Sequence, residues 1–422
     1  MEILYERVAG LDVHKDSVVA GVRVLRGGKA QRECRTFDTT TTSLEALREW
    51  LVASQCQVVA MEATGVYWMP IFKILGEAEF ELIVANAAHV KGVKGRKTDL
   101  NDAMWIADLA ASGLIKASFA PDEPLHELRT LMRTRKQLVR EQTSHVQRIQ
   151  KTLTEANIRL DSVMSDIMGA NGRRVIEALI SGQRDPKKLV ALTDRRLKAT
   201  PKALYDALHG RLTDHHRFLL KLHLQQIDVL TTTLAEIDCE AEARLKRLDQ
   251  QIAPKPGFRS LIDLLVTIPG VSELTALTIL SEIGANMSRF ATAADLVAWA
   301  GLCPGQNESA GKRRRCRLRK GAPWLKTMLV QCAWAAKNCK NSYYRALFFR
   351  LRARRGPQKA ICAVAAAILT AIYPMIVKRV PHVDLGVGYF DKRAPQAKLN
   401  RLLKQIKSLG FEAQLQPIPK AA

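Results

Sequence analysis

Four carboxylates near the start of the sequence stand where acids need a reason to be. Asp12 interrupts the apolar run Val8–Val13, and a carboxylate inside a buried strand is costly unless it is neutralised or bound to a cation. Glu62 repeats the pattern at the end of Val58-Val59-Ala60-Met61, and Asp99 and Asp102 lie three apart in the segment Lys97–Ala103 that opens a helix, hence on one helical face. Four acids on one small unit can hold two hard divalent cations, and Mg²⁺ takes oxygen ligands that it shares with substrate phosphates. Plainer readings exist for two of them: Asp99 as a helix N-cap, and Glu62 paired with a lysine of the Lys91–Lys97 loop. That loop, His89–Lys97, offers Lys91, Lys94, Arg96 and Lys97 as phosphate contacts between glycines that permit close backbone approach, without the order of a Walker motif.

A hydroxyl is the second candidate. Ser309 falls in the Gly/Pro-rich segment Ala300–Lys312, just before Lys312, Arg313, Arg314, Arg315, Arg317, Arg319 and Lys320. Serines in polar loops are ordinarily structural, but guanidinium groups around this one could seat a phosphodiester and stabilise negative charge as an alkoxide attacks phosphorus. Upstream, Ile268-Pro269-Gly270-Val271-Ser272 has the shape of a helix-hairpin-helix turn, in which backbone N–H groups around Gly270 could grip a phosphate. Ser272 stands where such hairpins often carry a second glycine, so an ordinary helix-to-helix turn is equally open. The histidines His89, His215 and His216 have no carboxylate or cysteine at a recognisable partner spacing.

The elements that must position these groups follow from patterning. With 422 residues the chain is long enough for two or three domains of about 150 residues. Its 65 Lys and Arg against 41 Asp and Glu give a net charge of +24 at 47% hydrophobic content, which excludes a disordered chain and points to a folded protein with a polyanionic partner. The charge is concentrated: Cys303–Lys359 holds sixteen Lys or Arg against the single acid Glu308, a surface expected to track phosphates. Eight cysteines with no C-x-x-C pair suit a reduced, cytoplasmic protein without structural zinc, and the charged N-terminus resembles no export signal. The apolar run from Ala360 to Val377 reaches the lower limit of a membrane span, but its alanines and Pro374 favour a core helix.

Residues 1–120 alternate short β-like runs with helical ones, an α/β pattern in which His14–Ser17 makes a hairpin connection. In 121–255, apolar residues recur at three-to-four spacing through Leu125, Leu128, Met132, Val139, Val146, Ile149 and Leu153, with Arg135 and Gln142 in the same seam, and again through Ile227, Leu230, Leu234, Ile237, Ala241 and Leu248. Two such helices predict an antiparallel hairpin, an oligomer-forming coiled coil or an intramolecular bundle. Ala253–Gly257 reads as a linker, 256–383 as a mostly helical domain and 384–422 as a tail with one amphipathic helix.

Taken together, Gly10–Lys15, Met61–Gly65, Arg96–Ala103, Ile268–Val271, Gly301–Pro304 through Ser309, and Arg319-Lys320-Gly321 resemble, in order and spacing, the transposases of the insertion sequence 110 family. The resemblance implies an RNase H-like (RuvC-like) N-terminal domain whose DEDD metal site falls on Asp12, Glu62, Asp99 and Asp102, and a C-terminal transposase domain with Ser309 as nucleophile. It further implies a Mg²⁺-dependent DNA recombinase guided by a structured, non-coding bridge RNA that reads donor and target DNA. Strand exchange would pass through a serine–phosphodiester intermediate in a dimer or tetramer, without a membrane, in the bacterial cytoplasm at the nucleoid. Many relatives carry glycine directly after the serine, whereas here Ala310 precedes Gly311. Two rival readings remain at this stage: a metal-dependent nuclease or junction resolvase in which the serine is idle, and a non-catalytic nucleic-acid-binding protein.

Overall fold

The computed structural model describes residues 4–63, 65–85, 99–115, 117–194, 197–252, 257–305, 308–309, 312–313, 318–319, 321–393 and 395–413. The chain forms two compact units, Met1–Pro121 and Asp122–Ala422.

In the first unit, β1 (Arg7–Val13), β2 (Ser17–Arg26), β3 (Lys29–Asp38), β4 (Val58–Glu62) and β5 (Glu81–Ala85) form one sheet in the order β3-β2-β1-β4-β5. The first three strands run antiparallel, while β4 is parallel to β1 and β5 to β4. The sheet is therefore mixed, with an antiparallel half and a parallel half. The apolar composition of β1, β2, β4 and β5 suits burial; β3, read as KAQRECRTFD, is almost wholly exposed and serves as the edge.

Strand alternation decides which helix each side chain meets. Ala9, Leu11, Val13, Val59 and Met61 pack with Leu44, Leu47, Trp50 and Leu51 of α1 (Thr41–Ala53) and with Ile71 and Leu75 of α2 (Trp68–Leu75). The opposite face, with Val8, Val58, Ala60, Ile83 and Ala85, packs against Ile106, Leu109, Ala110 and Ala111 of α3 (Asp99–Ala111). Gly10 and Gly21 pair across β1 and β2 and form a flat bed for α3. A Cβ on Gly10 would lie 2.1 Å from the Ala103 carbonyl oxygen and 2.5 Å from the Ala107 nitrogen. Arg23 and Arg32 then hold Asp108 of the same helix at 3.1 and 2.9 Å.

The second unit is mostly helical. Its spine is α4 (Glu123–Glu155) against α9 (Asp214–Ile252). The cross-pairs Glu127 with Arg244, Arg135 with Asp238, Gln142 with Thr231 and His145 with His223 show that the two run antiparallel within one chain. Between them in sequence, α5 (Leu160–Val163), α6 (Ala170–Ile180), α7 (Pro186–Ala191) and α8 (Pro201–Leu208) close a core at one end of the pair around Ile149, Leu153, Val175, Leu204 and Leu220.

Next come α10 (Phe258–Val266), α11 (Glu273–Ile283), α12 (Ala293–Trp299), the two-residue strands β6 (Glu308–Ser309) and β7 (Lys312–Arg313), α13 (Pro323–Ala336) and α14 (Tyr343–Arg355). The chain continues through α15 (Pro357–Lys378), α16 (Tyr389–Arg393) and α17 (Pro395–Ser408). The apolar run is α15, which buries Val364, Ala365, Ile368, Leu369 and Ile372 and packs on α12, α13 and α14. By length and composition it is long enough to cross a membrane, and half of its most apolar window is buried within the protein.

Candidate nucleic-acid-processing site

Four contacts fix how α3 lies across the sheet. Ala111 at its end accepts from the Leu4 N–H, Asp108 meets Arg23 beside the start of β1, and Ala107 and Ala103 cover Gly10. The helix therefore runs antiparallel to β1, and its first turn, Asp99–Asp102, points toward the end of β1 that carries Asp12. The register pairs Gly10↔Ala60 and Leu11↔Met61; Asp12 and Glu62 are the next residues on their strands, and alternation turns both to the face that α3 packs on. Three of the four acids are side-chain-described: Asp12 is 17% exposed, and Glu62 and Asp102 are half-buried. The Asp99 side chain lies outside the described residues.

An all-carboxylate set at the open ends of two parallel strands, under the N-terminus of a helix, has the oxygen-donor chemistry of a hard cation. Among the described residues, no three His, Cys, Asp or Glu side chains approach closely enough to form a metal cage. Asp12 also meets a histidine: His14 Nε2 stands 3.2 Å from Asp12 Oδ2 and is 47% exposed.

Within the Gly/Pro-rich segment, Ser309 is placed by a short β-ladder. Pro304 bridges to Leu318, Glu308 pairs with Arg313, and Ser309 pairs with Lys312, so the chain leaves α12, forms a hairpin and returns to α13 with Ser309 near the tip. Both glycines at the neck are needed. Gly301 and Gly321 have φ of +71° and +55°, and a Cβ on Gly321 would lie 2.3 Å from the Gly301 nitrogen. Arg319 is exposed, its N–H donating to the Cys303 carbonyl at 3.4 Å and its carbonyl accepting from Lys326 Nζ at 3.2 Å. Lys312 and Arg313 are placed through the β7 backbone. Lys91, Lys94, Arg96, Lys97, Arg314, Arg315, Arg317 and Lys320 lie outside the described residues.

The exit of the hairpin is anchored to the long helix. Trp324, at the start of α13, lies beneath Arg133, Lys136 and Arg140 of α4, whose charges stand 5.8, 5.7 and 5.4 Å from its ring centroid. Arg133 makes a two-pronged bond to Glu282 of α11 at 2.7 and 2.8 Å, and Arg129 donates to the Ser281 and Glu282 carbonyls at 3.1 and 2.7 Å. Burial drives the Arg129 pKa down to about 10, partly offset by Glu282. The turn ahead of α11 has Gly270 at φ +86°, where a Cβ would strike the α13 backbone. Ser272 is the N-cap of α11, forming a reciprocal capping box with Thr275.

Comparison with known proteins points to one class, the transposases. A transposase model of the DEDD, IS110 type matches residues 9–158, and a model described as the Transposase IS116/IS110/IS902 family matches residues 262–348. The chain belongs to the IS110 family of transposases. It is 26% identical over 285 residues to a Pseudomonas aeruginosa protein named "Probable family 20 transposase", covering 67% of this chain and 72% of that protein. The transposase for insertion sequence element IS1111A of Coxiella burnetii is 25% identical over 331 residues, 76% of this chain and 78% of its own. Thermus thermophilus RuvC matches at 20% identity over 26% of this chain and 99% of that chain, with a TM-score of 0.21.

Proposed function

We propose that this transposase is an RNA-guided DNA recombinase that moves its own insertion sequence. In this reading Asp12, Glu62, Asp99 and Asp102 hold two Mg²⁺ ions and Ser309 attacks the DNA. What supports the acidic half is strand parity: Asp12 and Glu62 follow the paired residues Leu11 and Met61 on adjacent parallel strands and share the sheet face that α3 packs on. Bound there, divalent cations would supply Lewis acidity at the scissile phosphate.

The residues of the chain would do the rest. Ser309 Oγ gives up its proton as it forms a bond to phosphorus, the bond from phosphorus to the leaving sugar oxygen breaks, and that departing oxygen takes up a proton, so the step is proton-neutral. Attack of a different sugar hydroxyl on the phosphoserine then restores Ser309 and joins new partners. Lys91, Lys94, Arg96 and Lys97, together with Lys312, Arg313, Arg314, Arg315, Arg317, Arg319, Lys320 and the turn at Gly270, bind donor and target DNA and the guide RNA by their phosphates. The net charge of +24 supports two polyanionic partners, and the active form is a homo-oligomer, a dimer or tetramer.

Ser309→Ala tests the proposal. The variant should bind DNA as before and form no covalent protein–DNA adduct on denaturing gels. An undiminished adduct removes Ser309 from the mechanism; full strand cleavage without an adduct makes the protein a metal-dependent nuclease. Digestion of co-purified RNA should abolish recombination of a donor and target pair, and recombination that survives it removes the guide.

A further inference from the structure

Two aromatic rings stand in solvent among basic residues of α13 and α14 in the second unit. Trp334, at the end of α13, is 41% exposed and Phe349 of α14 is 45% exposed. They belong to a continuous strip: the Trp334 and Phe348 centroids are 6.0 Å apart and those of Phe348 and Phe349 5.3 Å. Phe348 itself is buried and anchors the strip between the two helices. Three cations lie along it. Lys337 Nζ is 4.6 Å from the Trp334 centroid and 5.4 Å from that of Phe348, while Arg345 and Arg352 stand 5.1 and 5.9 Å from Phe349. The sequence of α14, YYRALFFRLRARR, contains no acid.

We infer that this strip is a stacking platform for an unpaired strand of nucleic acid. The two exposed rings offer π-faces to bases, and Lys337, Arg345 and Arg352 can turn from ring to phosphate as the strand settles. An apolar protein partner would have to desolvate these cations on docking, whereas a polyanion that carries flat bases matches both the charge and the rings. A duplex does not fit the same role, because its base faces are already stacked on one another. Recognition through base faces and phosphates is indifferent to the sugar, so unpaired DNA and RNA of one sequence should bind alike. The inference rests on the reading of the chain as a protein that handles nucleic acid.

The test measures binding of the full chain, by fluorescence anisotropy, to one short sequence as single-stranded DNA, as single-stranded RNA and as a DNA duplex. Trp334→Ala and Phe349→Ala should each weaken binding to both single strands by about tenfold and leave the duplex within about twofold. Trp334→Phe, which keeps a ring, should retain most of the single-strand affinity. Both rings are exposed, so unchanged circular dichroism is expected and separates the effect from misfolding. Equal losses on duplex and single strand, no loss on either single strand, a large difference between DNA and RNA, or efficient displacement by polyglutamate that depends on Trp334 would each overturn the inference. A wild-type chain that binds none of the three nucleic acids would overturn the underlying reading as well, and is thereby distinct from failure of the platform alone.

Discussion

Replacing Gly10 with alanine adds one methyl group at the place where α3 meets the sheet. The added Cβ would stand 2.1 Å from the Ala103 carbonyl oxygen and 2.5 Å from the Ala107 nitrogen. An ordinary carbon–oxygen contact is about 3.4 Å, so the helix must retreat by about 1 Å. Both obstacles are backbone atoms and cannot swing aside. Overpacking of this kind costs about 3 kcal/mol, equivalent to a fall of about 10 °C in the melting temperature of a unit of this size. The same retreat carries the turn bearing Asp99 and Asp102 away from Asp12 and Glu62, and a 1 Å misplacement of reacting groups costs about a hundredfold in rate. Gly21→Ala is the internal control. Its nearest obstacle is the Met104 sulfur at 2.6 Å, a flexible side-chain atom, so the loss should be about 1 kcal/mol. Differential scanning calorimetry and single-turnover DNA cleavage measure both variants. A Gly10→Ala protein that melts and cleaves like the wild type would refute the packing of α3 and the placement of the acids that depends on it.

Three further outcomes are expected. Gly321→Ala forces a side chain against the Gly301 nitrogen at a residue with φ +55°, so it should distort the hairpin neck and reduce the yield of covalent adduct more than it reduces DNA binding. Glu282→Ala leaves the buried Arg129 and its neighbour Arg133 without their carboxylate and should destabilise the second unit by about 3 kcal/mol, seen as earlier proteolysis of α11 and α13 in limited digestion. In the long helix pair, burial first, then the charges of His145 and Arg148, lower the pKa of His223. The unfolded chain therefore binds that proton more tightly, and the helix pair should be most stable above the ordinary histidine value of about 6.5 and lose stability as pH falls through it. His223→Gln should flatten that part of the melting-temperature profile, and an unchanged profile would sink this assignment.

Much of the first unit was legible because its strands announce themselves by apolar runs: β1 and β4 fall on the runs Val8–Val13 and Val58–Met61, and the His14–Ser17 turn joins β1 to β2. The edge strand β3 was not expected. Its residues are polar because solvent meets nearly all of it, and the surviving signal was the Gly27-Gly28 pair, both at positive φ between β2 and β3, a two-residue hairpin turn. The long helices were readable from spacing, and the seam positions Arg135 and Gln142 proved to be partners of Asp238 and Thr231. Ser272, read as a missing glycine, is a capping residue, and the same side-chain oxygen explains why the turn tolerates it. The hairpin that carries Ser309 was illegible as strands because its two-residue ladders are shorter than any hydrophobic period. The pairing of His14 with Asp12 was hidden by its position at a strand end.

The account stands on the carboxylates of β1, β4 and α3 acting as one cation site. Electron paramagnetic resonance of Mn²⁺ titrated into the full chain without DNA tests this most directly. Wild type should bind Mn²⁺ in an all-oxygen environment, and Asp12→Asn, although folded, should lose at least a hundredfold in affinity, since removing one of few charged ligands forfeits about 3 kcal/mol. Equal Mn²⁺ binding by wild type and Asp12→Asn, or none by the wild type, would contradict it.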